Sequence, residues 1–139
     1  MSRRKSREIA LKVLYQVDLV GSNPEEAQGQ LVDEARLTEK DARFTGELVA
    51  GTMAHQPEID ASITRYSPTW PLARMGTIER NLLRLAAFEI LYGEDAHPVV
   101  VIDEAVELAK KYGDDHSKSF VNAILDKIRE ESEGQEGSD

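Results

Sequence analysis

A chain of 139 residues, 40% hydrophobic and 31% charged, is long enough to bury one core and polar enough to fold as a soluble domain. The absence of cysteine excludes disulfides, thiolate metal sites and cysteine nucleophiles, and no apolar run approaches the roughly 20 residues that span a bilayer. The net charge of −9 is unlike that of a nucleic-acid-coating protein, yet residues 1–12 carry +4 (Arg3, Arg4, Lys5, Arg7 and Lys12 against Glu8), leaving −13 on the rest.

The basic amino terminus is not followed by a short apolar segment of signal-peptide type, so a cytoplasmic location is expected. A first helix is predicted from about Arg4 to Val20, with Ile9, Val13, Val17 and Val20 forming an apolar stripe that Gly21 ends. Asn23, Pro24, Glu25 and Glu26 read as a helix cap, a proline at the first position and two acids in the first turn, opening a second helix to about Ala35. Thr38 followed by Asp41 repeats that signal for a third helix through Phe44, Leu48 and Val49. Pro57 should kink or restart it, and Ile59 and Ile63 carry the spacing on to about Tyr66. Residues 67–71, with Pro68 and Pro71, read as a connector between two subdomains, about 1–66 and 72–129 of a single domain 1–129.

Ile78, Leu82, Leu85, Ala86 and Ile90 predict a largely buried helix ending at Gly93. Val99, Val100, Val101 and Ile102 alone would suit a strand, but Pro98 at the start and the spacing of Ile102, Ala105, Val106 and Ala109 favour a helix closed by Gly113. Ser117 reads as the cap of a last helix whose apolar face is Phe120, Val121, Ile124, Leu125 and Ile128. Residues 130–139 are acidic, have nothing to bury and are expected to be a disordered tail. The fold class is therefore all-α, six to seven helices and no sheet.

Catalytic signals are weak. His55, His97 and His116 are far apart and fit no metal motif, so no metal or other cofactor is expected. Gly46 and Gly51 have the spacing of a phosphate-binding loop, but Thr52 stands where that loop requires lysine. Asp114, Asp115 and His116 suggest acid–base work less than they suggest a capped interhelical turn. The arm is different. In a helix Arg3 and Arg7 share a face with Arg4 beside it, and guanidinium groups fork onto phosphates and stack on unpaired bases. Composition alone leaves an RNA grip and a solvated terminus equally open.

Three stretches, in order, resemble the bacterial transcription antitermination proteins of the NusB family. Residues 4–16 pass from a basic arm into a helix with Ala10, Leu14 and Tyr15; residues 79–91 carry Leu83, Arg84, Ala86 and Glu89; residues 101–113 and 120–126 match the carboxy-terminal signature. The resemblance spans nearly all of the chain except residues 130–139. It implies an all-helical fold of two packed small bundles and no catalysed reaction. It also implies binding of boxA RNA together with a small-subunit ribosomal protein, NusE, in an antitermination complex on RNA polymerase. Carried over, Arg3, Arg4, Lys5, Arg7 and Tyr15 would contact RNA, as would His116, Ser117, Lys118 and Phe120 at the start of the last helix. Glu79, Arg80 and Leu83 would meet the partner protein. A homodimer stays open, since family members occur as monomers and as dimers. A purely protein-binding module with an incidental arm is the rival reading. A third role follows from ribosomal RNA cytosine methyltransferases that begin with a NusB-like domain, and it would need a separate catalytic subunit here.

Overall fold

The computed structural model describes residues 3–93 and 96–137, which contain seven α-helices, one 3-10 turn and no strand. The helices are α1 (Arg4–Val20), α2 (Pro24–Ala35), α3 (Glu39–Ala54), α4 (Gln56–Arg65), α5 (Thr77–Tyr92), α6 (Pro98–Tyr112) and α7 (Ser117–Gly137), with the 3-10 turn at Leu72–Arg74. The expected caps form: the Asn23 side chain accepts from the Glu26 amide and Thr38 from the Asp41 amide. Gly21 closes α1 in the left-handed region at φ 71°, which glycine adopts without a Cβ penalty. Pro57 restarts the helix rather than bending it: α3 stops at Ala54, and α4 begins with Pro57 in its first turn. The local ambiguity after residue 97 resolves as helix, because the His97 ring accepts from the Val99 amide and Pro98 supplies a preset φ.

Two small bundles share one spine. α1 packs on α2 and α3, α5 packs on α6 and α7, and α1 and α5 pack on each other. α4 leans on α5 and touches α7. The core runs through both halves, from Ile9, Leu11 and Val13 to Leu82, Leu83 and Leu85, then Val121, Leu125 and Ile128. α5 is the interior helix, with nine of its sixteen residues buried. Gly51, half of the abandoned phosphate-loop spacing, lies in α3 against the Phe88 ring, where a Cβ would collide. Its service is close packing. His55 continues that layer, stacked on Tyr92 with ring centroids 3.9 Å apart.

The last helix departs from expectation at both ends. Asp114, not Ser117, is the cap: its Oδ1 accepts from the His116 and Ser117 amides, and Ser117 is the first helical residue. At the other end α7 continues past Arg129 to Gly137, where a disordered tail was predicted. Arg65 and Tyr66 both donate to Glu131, and Arg129 bridges Asp126 and Glu133, so acids with nothing to bury still find partners. Residues 138 and 139 of that predicted tail lie outside the described residues.

Candidate nucleic-acid interface

The arm is split by the helix it enters. Arg3 precedes α1 and its carbonyl accepts from the Arg7 amide, so the two side chains do share a face. That face turns inward. The Arg3 guanidinium lies 4.1 Å from the Phe44 ring centroid and that of Arg7 lies 5.7 Å from it. Arg7 is 5% exposed and forks onto Glu89 of α5, Nε to Oε1 at 2.7 Å and Nη2 to Oε2 at 2.8 Å. This corrects the assignment of Arg7 to RNA: its guanidinium is consumed by a buried carboxylate. Ser6 is buried too, donating to the Asp41 carbonyl. Arg4 and Lys5 point the other way, exposed, toward Glu104 and Glu8.

From Lys5 a strip leads along α1. Glu8 is buried and accepts hydrogen bonds from Lys5, Lys111 and Tyr112. Burial pushes its carboxyl up, but those three donors outweigh burial and hold it down at about 2. Lys111 lies 5.3 Å and Lys12 6.0 Å from the Tyr112 ring centroid. Lys12, Tyr15, Tyr112 and Ile78 then line a groove of about 430 Å³. A second groove, about 620 Å³, is lined by Trp70, Met75 and Glu79 together with His116, Ser117 and Phe120 from the α6–α7 turn and the start of α7. The α6–α7 turn is stiff. Asp114 Oδ1 accepts from the His116 and Ser117 amides while its own amide donates to the Ser117 hydroxyl oxygen, and the His116 amide bond foremost holds its carboxyl below the usual range.

Because the folded Glu8 carboxyl titrates below its ordinary 4.5, it stabilises the fold above that value and loses its contribution as pH falls toward about 2. The contribution is bounded by about 3 kcal/mol, less screening of the exposed Lys111. Glu8→Gln should therefore be less stable than the parent at pH 7, and urea unfolding should show the gap closing between pH 4.5 and pH 2. A gap independent of pH would contradict this.

The predicted site residues thus fall into three groups. Arg4, Lys5, Tyr15, His116, Lys118 and Phe120 are exposed or half-buried, with Arg3 half-buried at the arm's start. Arg7 and Ser117 are buried, and Ser117 serves the turn by donating to Glu79 Oε1 at 2.6 Å. The three partner-binding candidates do not form an open surface. Leu83 is 0% exposed and belongs to the core, a correction that follows from α5 being interior. Arg80 is occupied by Asp18 and by the Leu72 and Met75 carbonyls, fastening the 3-10 turn, while Glu79 faces the second groove. Sequence reasoning missed Lys12 as a strip residue, although it lies seven positions from Lys5 and three from Tyr15, the spacing of one helix face. It also missed Lys111, Tyr112 and Trp70, which only tertiary packing brings to this surface.

Among the described residues no helix is long and apolar enough to cross a membrane, and no three metal-ligating side chains gather. Comparison with known proteins gives a consistent picture. The chain is 54% identical over 134 residues to the transcription antitermination protein NusB of Syntrophomonas wolfei subsp. wolfei, covering 96% of this chain and 100% of that protein. It is 44% identical to that of Desulfitobacterium hafniense strain DSM 10664 / DCB-2, covering 94% of this chain and 89% of the relative. The fold superposes on T. maritima NusB with a TM-score of 0.88 at 36% identity, covering 94% and 92% of the two chains. A crystal structure of the antitermination factors NusB and NusE in complex with dsRNA matches with a TM-score of 0.86 at 33% identity, covering 93% and 96%. The sequence model of the NusB family matches residues 4–130, and the chain belongs to that family.

Proposed function

We propose that this chain is a non-catalytic RNA-binding antitermination factor of the bacterial cytoplasm. With the ribosomal protein NusE it holds boxA RNA of nascent ribosomal transcripts and helps RNA polymerase read through terminators. The observation that carries this reading is the strip. Basic groups from α1 and α6 (Lys5, Lys12, Lys111) gather beside Tyr15 and Tyr112, on a chain that is otherwise strongly acidic, while His116 and Phe120 line a second groove. Basic groups beside accessible aromatics suit a strand whose bases are unpaired: cations track phosphates while rings take bases. The ion pairs of Arg4 with Glu104 and Lys5 with Glu8 involve half-exposed cations, and such pairs are worth about 1 kcal/mol or less, so phosphate can displace the acids. Relatives carrying the antitermination name, and a structural neighbour solved with NusE and RNA, support the same reading.

Residues 1–129 act as one unit, its halves 1–66 and 72–129 joined at the connector. A partner approaching α5 meets it chiefly at its ends, because its middle is core.

Anisotropy of a labelled single-stranded boxA RNA tests this. Four to six basic contacts predict a log–log salt slope of roughly −3 to −4, at about −0.7 per contact for single strands. Alanine at Arg4, Lys5 and Lys12 together should flatten that slope by about 2. Added NusE should tighten binding cooperatively. A flat salt response, or an affinity unchanged by the triple substitution, would favour a protein-interaction module instead.

A further inference from the structure

The second groove has a feature that RNA binding along the basic strip does not explain: an exposed tryptophan on a rigid mount above an acidic floor. Trp70 is 51% exposed, yet its backbone is fixed, with its amide donating to the Ser67 carbonyl and its carbonyl accepting from the Ser67 hydroxyl at 2.8 Å. The connector is held again next door, where Arg80 donates to the Leu72 and Met75 carbonyls. An indole left half in water on an anchored backbone is a preformed stacking surface, with little left to order on binding. Phe120, half-buried, contributes a second ring to the same groove.

The floor is acidic. Glu79 lines it, oriented by the Ser117 hydroxyl, with Asp114 beside it. Carboxylates repel a phosphate and attract N–H donors, so an RNA strand entering here must turn its bases inward and its backbone outward. His116 on the groove lining and exposed Lys118 at the start of α7 are placed for that backbone.

We propose that this groove receives an unpaired guanine, stacked against Trp70 and Phe120 with its Watson–Crick edge toward Glu79. Guanine is the base that offers two parallel N–H donors to one carboxylate, and an aromatic wall alone would take any base. This rests on the RNA reading above and adds to it a base-selective subsite with Trp70 and Glu79 as specificity residues.

Trp70 is the only tryptophan in the chain, so its fluorescence reports on the groove directly. The intact protein is titrated with end-labelled single-stranded boxA RNA, and with the same strand carrying inosine for guanosine. Tryptophan emission and label anisotropy are read together. Quenching should share the anisotropy midpoint. Trp70→Ala should weaken binding about fivefold or more while Trp70→Phe, which keeps a ring, retains most of it. Inosine, lacking the 2-amino group, should bind the parent more weakly, and Glu79→Gln should erase that difference with an unchanged circular dichroism melt. Anisotropy that rises without quenching, or equal losses in the Ala and Phe variants, would overturn the subsite and leave the RNA reading standing. Inosine binding equal to guanosine in the parent protein would remove the guanine assignment. No anisotropy change at all would overturn both.

Discussion

Replacing Arg7 with alanine is expected to cost about 3–5 kcal/mol of folding stability, the toll of leaving a buried carboxylate without its partner. Glu89 is 6% exposed, and its two oxygens receive the two arms of the Arg7 guanidinium across 82 residues of chain. Truncating Arg7 strands that charge between α1 and α5, the two helices that join the bundles. Arg7→Lys should also fail in part, because an ammonium cannot reproduce two parallel hydrogen bonds. Pairing Arg7→Met with Glu89→Leu removes both charges and should recover most of the loss, since a buried ion pair contributes little over well-packed apolar groups. Urea unfolding of the four proteins decides the matter. If Arg7→Ala kept its unfolding midpoint and lost RNA affinity, Arg7 would be an RNA contact after all.

Leu83→Ala is expected to lose about 2–5 kcal/mol, the range for truncating a fully buried leucine. Leu83 has no exposed surface, and it sits in the stretch of α5 packed by neighbours from both bundles. A partner-binding leucine would behave differently, leaving the thermal midpoint of the isolated protein nearly unchanged while weakening NusE capture. Measuring both quantities on Leu83→Ala separates the cases. Capture loss without a lowered midpoint would return Leu83 to the interface.

These two residues show where sequence reasoning stopped short. The family resemblance pointed to stretches of α1, α5 and α7, but membership in a motif does not say whether a side chain serves a ligand or the core. Arg7 looked like its neighbours Arg4 and Lys5 because all are cations within one turn. The 100° rotation per residue in a helix sets Lys5 about 200° from Arg7, so Lys5 faces outward while Arg7 turns onto Glu89. The strip was half-legible for the same reason: Lys5, Lys12 and Tyr15 lie on one face of α1, whereas Lys111 and Tyr112 come from a helix about a hundred residues away.

What the sequence determined by itself were the features governed by short-range chemistry. Asn23, Thr38 and Pro98 start helices because they satisfy or remove orphan amide donors, Gly21 stops one because it tolerates a positive φ, and Pro57 divides α3 from α4 because it lacks a donor. The acidic balance with a basic start was equally plain. Tertiary structure alone decided which arm cations are spent inside, that Glu131 of α7 pairs with Arg65 and Tyr66, and that Trp70 and Glu79 meet Phe120 around one groove. Each of those depends on a partner tens of residues distant, and a side chain's type fixes what it can bond to without fixing which neighbour the packing of α1 against α5 and α6 will bring.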